Sequence, residues 1–132
     1  MKSGDRRIRV LVADDSATAV AGICKYLEFE GLFEIIGTAS DGLQLVQKTG
    51  RLRPELVLVD LSMPRLNGLE AAAELRRLFP TLRILIVTQL SGLSLKDECL
   101  RCGADGFVAK DQMPETLMEE VYRLFPEYAA LE

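Results

Sequence analysis

Histidine and tryptophan are both missing from this 132-residue chain, and cysteine occurs only three times. Without imidazole, serine–histidine and cysteine–histidine catalysis are excluded, as is any zinc site that needs a histidine ligand. No apolar run approaches the ~20 residues of a membrane-spanning helix. The basic start, Met1-Lys2-Ser3-Gly4-Asp5-Arg6-Arg7, is not followed by the apolar stretch of a signal peptide, because Arg9 breaks the run between Ile8 and Val10. The expectation is a cytoplasmic protein with no membrane partner. A net charge of −4 and basic residues dispersed along the chain give no sign of direct nucleic-acid binding. What is present, 48% hydrophobic and 27% charged residues, suits one compact domain over residues 1–132 with a core from about 7 to 126.

Cys99 and Cys102 form a C-x-x-C, a spacing used in redox and metal sites. Leu95, Cys99 and Cys102 also fall at i, i+4 and i+7 of an expected helix, which makes them one buried stripe. The end of that helix, just before Gly103, disfavours a thiolate, and Cys24 alone would not complete a four-ligand zinc site. Packing is the better reading.

Strand-like and helix-like stretches alternate along the chain. Ile8–Ala13 reads as an apolar strand, followed by a helix from Ser16 that carries Val20, Ile23, Cys24 and Leu27 and stops at Gly31. Phe33–Ala39 is a second strand, more edge-like for its Glu34 and Gly37. Asp41-Gly42 opens a helix that Gly50 is expected to close. Leu56–Val59, four aliphatics between Pro54 and Pro64, is a strand buried on both faces. The following helix is expected over residues 66–78, with Leu69, Ala72, Ala73, Leu75 and Arg76 towards the sheet and Phe79-Pro80 ending it. A fourth strand over 82–87 ends in Thr88. Ser94 and Asp97 resemble a capping box for the helix carrying the cysteines. Gly106–Ala109 is a short fifth strand ending in Lys110. Pro114 is expected to open the last helix, with Leu117, Val121, Leu124 and Phe125 inward, until Pro126.

Five such βα units, with short connections and no repeat or linker, call for an α/β fold: a doubly wound five-stranded parallel sheet with five helices, in the order 2-1-3-4-5. Ligand crevices in such sheets lie at the carboxyl ends of the strands. The residues found there are Asp14-Asp15, Asp60, Thr88 and Lys110. Strands one and three are neighbours in this order, so three carboxylates meet at one crevice, with a hydroxyl and an ammonium arriving beside them. Carboxylates that close repel, so the site is expected to recruit a hard divalent cation, with Mg2+ suiting carboxylates, waters and a phosphate. Lys110 then serves an incoming anion, and Thr88 offers a hydrogen bond. The arrangement fits phosphoryl transfer, with Asp60, alone at the end of the central strand, as nucleophile.

Taken with their spacing, these residues resemble the receiver (CheY-like) domain of bacterial two-component response regulators. The likeness rests on Val12-Ala13-Asp14-Asp15-Ser16, Asp60-Leu61-Ser62-Met63-Pro64, Asn67-Gly68-Leu69-Glu70, Thr88 and Gly103-Ala104-Asp105-Gly106-Phe107-Val108-Ala109-Lys110. Phe33-Glu34-Ile35-Ile36-Gly37 and Asp111 look most like receivers joined to LuxR-type helix-turn-helix domains. The resemblance implies that Asp60 is the phosphoacceptor for a partner histidine kinase or phosphotransfer protein. It implies that Asp15, Asp60 and the Ser62 carbonyl bind Mg2+, with Asp14 acting through water. Lys110 and Thr88 would contact the phosphate, and Thr88 and Phe107 would form the switch. The output would run through the face made by the fourth helix, fifth strand and fifth helix, towards an output domain or effector. A homodimer through that face, involving Tyr122, is also implied.

Two positions depart from the family pattern: Asp111 stands where many receivers carry proline, and Gln89 where a small residue is common. Gln89 is expected to narrow access to Asp60. A haloacid-dehalogenase-type phosphatase also uses a strand-end aspartate and Mg2+, but places an acid two residues later, where this chain has Ser62. A degenerate receiver that only docks partners is the other alternative, against which the complete residue set counts.

Overall fold

The computed structural model describes residues 6–89, 93–113 and 115–129. Five strands, β1 (Ile8–Ala13), β2 (Phe33–Ala39), β3 (Leu56–Val59), β4 (Arg83–Thr88) and β5 (Gly106–Ala109), form one sheet. It is parallel, in the order β2-β1-β3-β4-β5. Between them run α1 (Ala17–Glu30), α2 (Gly42–Leu52), α3 (Gly68–Leu78) and α4 (Leu93–Arg101), with α5 (Glu115–Leu124) and a short α6 (Pro126–Ala129) after the last strand.

Alternation along the strands divides the core in two. Leu11, Val57, Val59, Ile84 and Ile86 pack one way, against Leu45 of α2, Leu75 of α3 and Cys99 of α4. Val10, Val12, Leu58, Leu85 and Val108 pack the other way, against Leu27 of α1 and Leu117 and Val121 of α5. β3 is buried at all four positions, as its unbroken aliphatic run predicts. Its register sets the site: Ala13 lies opposite Val59, and the Asp60 N–H donates to the Ala13 carbonyl at 2.9 Å. The residues following β1 and β3 are thereby held side by side.

Several boundaries differ from the expectation. Gly50 does not close α2, which continues to Leu52 and ends on Arg53 in the left-handed region at φ 54°. The expected start of α3 at residue 66 moves to Gly68, because Asn67 caps the helix: its side chain accepts from the Glu70 N–H while Glu70 accepts from the Asn67 N–H. Ala71, not Ala73, faces the core, and Ala73 is exposed, because the buried stripe runs through Gly68, Ala71, Ala72 and Leu75. Strand β4 starts one residue later than expected, though Leu82 is buried. Ser94 lies inside the first turn of α4 instead of capping it. Leu124 is only half-buried, whereas Phe125 is buried as expected. Pro126 does not end the fold: it begins α6, the sixth helix, whose Tyr128 is buried beside Phe125. Met1 to Asp5 and Pro114 lie outside the described residues. Cys99 is buried and its thiol is pushed up to about 11, first by desolvation and then by Cys102, so it behaves as packing.

Candidate functional site

At the carboxyl edge of the sheet a cleft of about 240 Å³ is lined by Asp14, Asp15, Ser16, Ala19, Asp60, Ser62, Thr88, Gln89 and Lys110. Residues as distant as Asp14 and Lys110 reach it because the parallel sheet aligns all its strand ends on one side. Asp14 is buried after β1, its backbone N–H donating to Ala39 and its Oδ1 accepting from the Ser16 N–H at 3.0 Å. Ser16 then caps α1 by accepting from the Ala19 N–H. Asp15 is exposed at the mouth. Oxygens of Asp14, Asp15 and Asp60 all lie within 4.8 Å of one another.

Lys110, carried past the end of β5 into a 3-10 turn (Lys110–Gln112), returns to this cluster. Its Nζ stands 2.6 Å from Asp14 Oδ2 and 3.7 Å from Asp60 Oδ1. One ammonium is therefore shared unequally between two buried carboxylates, and Asp60 receives the smaller share. Asp60 is 7% exposed. Burial is the largest influence and raises its pKa, and the neighbouring Asp14 charge raises it further. Lys110 opposes the shift, Asp15 adds to it, and a hydrogen bond from the Thr88 hydroxyl opposes it. The result is a carboxyl held above its ordinary range in a pocket of like charge.

The donors converging there are all carboxylate oxygens, with no thiolate among them, which is the set a hard divalent cation takes. A cation would relieve the repulsion that Lys110 leaves. Of the residues expected from the sequence, the cleft brings together Asp14, Asp15, Asp60, Ser62, Thr88, Lys110 and the exposed Gln89. Phe107 is not among them: it is half-buried on β5 and packs against the core beneath.

Sequence reasoning assigned no role to the residues that fix the loop after Asp60. Leu61 and Met63 are buried and anchor it from below. A Cβ on Gly68 would lie 2.4 Å from the Asp60 carbonyl oxygen, and one on Gly42 would lie 2.0 Å from the Leu66 carbonyl oxygen. Both helix starts thus press directly on this loop, and only glycine leaves room. Arg65 crosses the gap with φ 70° and its Nε 3.8 Å from Asp41 Oδ2, the carboxylate that caps α2. The glycines are visible in the sequence, but the surfaces they meet are not.

Comparison with known proteins agrees with this geometry. Over 108 residues the chain is 38% identical to a protein-glutamate methylesterase/protein-glutamine glutaminase of Thermotoga maritima, spanning 80% of this chain and 31% of that protein. It is 33% identical over 112 residues to the oxygen regulatory protein NreC of Staphylococcus aureus, spanning 84% of this chain and 52% of that one. The chain thus spans between about a third and a half of the length of these curated relatives. Among solved structures, the CheX-CheY-BeF3-Mg+2 complex from Borrelia burgdorferi superposes with a TM-score of 0.83 at 26% identity, over 89% of each chain. Residues 10–122 match the response regulator receiver domain, and that span takes in every side chain lining the cleft. The chain belongs to the response regulator receiver family.

Proposed function

We propose that Asp60 accepts a phosphoryl group from a phosphohistidine on a partner histidine kinase or phosphotransfer protein. The observation that carries this reading is the convergence on Asp60 of an ammonium, a hydroxyl and two further carboxylates from three other chain segments. An Asp60 oxygen attacks phosphorus, the phosphorus–nitrogen bond breaks, and the imidazole leaves with the electron pair. Lys110 gives up part of its contact with Asp14 to pair with the phosphoryl oxygens, and the Thr88 hydroxyl turns from the carboxylate to a phosphoryl oxygen. Asp14, Asp15 and Asp60, with the Ser62 carbonyl, fit Mg2+, which when bound neutralises the clustered charge and screens the incoming phosphate. Gln89 gates the mouth of the cleft.

Phosphorylation places charge that only one arrangement of Thr88 and Phe107 satisfies, and so shifts the face formed by α4, β5 and α5. That face passes the signal to an effector, to a second copy of the chain, or to a LuxR-type DNA-binding domain where one is attached. On this reading the chain is a phosphoacceptor in the cytoplasm that touches neither membrane nor DNA itself. Labelling with a small acyl phosphate tests it by intact mass: one phosphoryl group is expected, dependent on Mg2+ and lost in Asp60→Asn. Mass addition that survives this substitution would move the acceptor elsewhere.

A further inference from the structure

At the opposite, amino edge of the sheet lies a second and larger cleft, of about 430 Å³. Three connections enclose it: residues 53–55 leading into β3, residues 79–83 leading into β4, and residues 125–127 between α5 and α6. Its floor is apolar, with Pro54 and Leu82 buried and the rings of Phe79 and Phe125 at the sides. Two guanidinium groups stand over those rings. Arg53 lies 5.3 Å from the Phe79 centroid and Arg83 lies 5.5 Å from the Phe125 centroid.

Neither arginine is paired with a carboxylate among the described residues. Among the described residues the Arg83 guanidinium donates to the Thr81 carbonyl, at 2.9 Å, and makes no other hydrogen bond. The nearby acid, Glu55, is already taken: Oε2 accepts from Arg6 at 2.9 Å and Oε1 from the Arg9 N–H at 3.0 Å. Glu127 is exposed at the rim. The Arg53 backbone is pinned as well, because its N–H donates to Thr49 and its carbonyl accepts from Arg9.

A guanidinium laid on an aromatic ring is pre-oriented and weakly hydrated, and keeps its edge N–H groups for a planar anion. Two such groups around an apolar floor favour a ligand with charge at one end and carbon at the other. The volume falls within the range of ordinary small-molecule sites. We propose that this cleft binds a small organic anion, a carboxylate or phosphate on a compact apolar body. Arg53 and Arg83 hold the anion, and Phe79, Leu82 and Phe125 cover the body.

Titration of the full chain with benzoate and with phenyl phosphate, followed by backbone amide NMR, tests this. The expected result is saturable perturbation centred on residues 53–55, 79–83 and 125–127, with affinity reduced about tenfold or more in the Arg53→Gln/Arg83→Gln double variant. The stronger of the two probes identifies carboxylate or phosphate as the preferred group. The variant's amide dispersion and its Mg2+-dependent shifts at the carboxyl edge, unchanged, show that the fold is intact. The proposal is overturned if neither probe perturbs the cleft at millimolar concentration, or if the double variant binds as the parent does. Inorganic phosphate binding as well as phenyl phosphate would remove the apolar subsite. An acidic peptide or an oligonucleotide occupying the cleft where both small probes fail would also overturn it.

Discussion

At the carboxyl ends of the strands the chain gathers Asp14, Asp15 and Asp60 around a single ammonium, while at the amino ends Arg6, Arg9, Arg53 and Arg83 gather around carbonyls, rings and one carboxylate. The first cluster is under-compensated, and its strain shows in the raised Asp60 carboxyl. Most of the second is satisfied. Arg9 donates to the Leu52 and Arg53 carbonyls that α2 leaves unpaired at its end, and Arg6 bridges Glu55 and the Tyr128 hydroxyl. One edge is arranged for chemistry at the expense of stability, and the other closes the fold.

This contrast can be broken or sharpened by substitution. The largest effect is expected at Asp60→Asn, which abolishes phosphoryl loading, whereas Arg53→Gln leaves loading by a small acyl phosphate at the parental rate. Intact mass with time reads both, and a slowed Arg53→Gln would mean that the edges are coupled. Next, Lys110→Ala is expected to slow loading by about 10²-fold, the order found when one positioned charge facing a transition state is removed. Loss of less than about fivefold in single-turnover measurements would show that the ammonium serves Asp14 alone.

Stability should respond in the opposite sense at the two edges. Arg9→Ala leaves two helix-end carbonyls without their donor and is expected to cost about 1–2 kcal/mol in urea denaturation, with loading unaltered. Asp60→Asn is expected to gain about 1 kcal/mol at neutral pH in the absence of divalent cations. The sign follows from the raised carboxyl: the folded chain binds that proton more tightly than the unfolded chain does, so stability falls as pH rises through the folded value. The gain therefore disappears below the ordinary carboxylate pKa, where both states are protonated, and Mg2+ should shrink it at pH 7. A variant less stable than its parent at neutral pH would contradict the account. The smallest effect is expected at Gln89→Ala, a few-fold faster loading, and unchanged kinetics would remove the gate.

Much of the fold was legible because its signals are local. The aliphatic runs of β1, β2, β3 and β5 mark strands at their observed bounds, and Gly31 stops α1 in the left-handed region at φ 72°. The misreadings came where a local signal lost to a tertiary one. Gly50 looks like a helix stop, yet α2 continues because Leu52 packs against the core beyond it. Pro126 does mark the end of the long helix, since α5 stops at Leu124, but burial of Tyr128 adds a further short turn of helix that local signals did not show. The candidate site was legible to the extent that polar residues ended apolar strands. The glycines pressing on the loop after Asp60, and the Arg65–Asp41 contact, depend on surfaces far apart in sequence.

By itself the sequence determined the alternation of elements and the identity of the residues at each strand end, since hydrophobic period and turn chemistry act over a few residues, whereas the strand order followed from the general rule for doubly wound sheets. Only the tertiary structure decided how one ammonium is divided between two carboxylates and which loop each glycine admits. It alone gathered arginines that look dispersed along the chain into a single cleft. The reason is that charge and close packing depend on distances of a few ångströms between segments that only the folded sheet brings together.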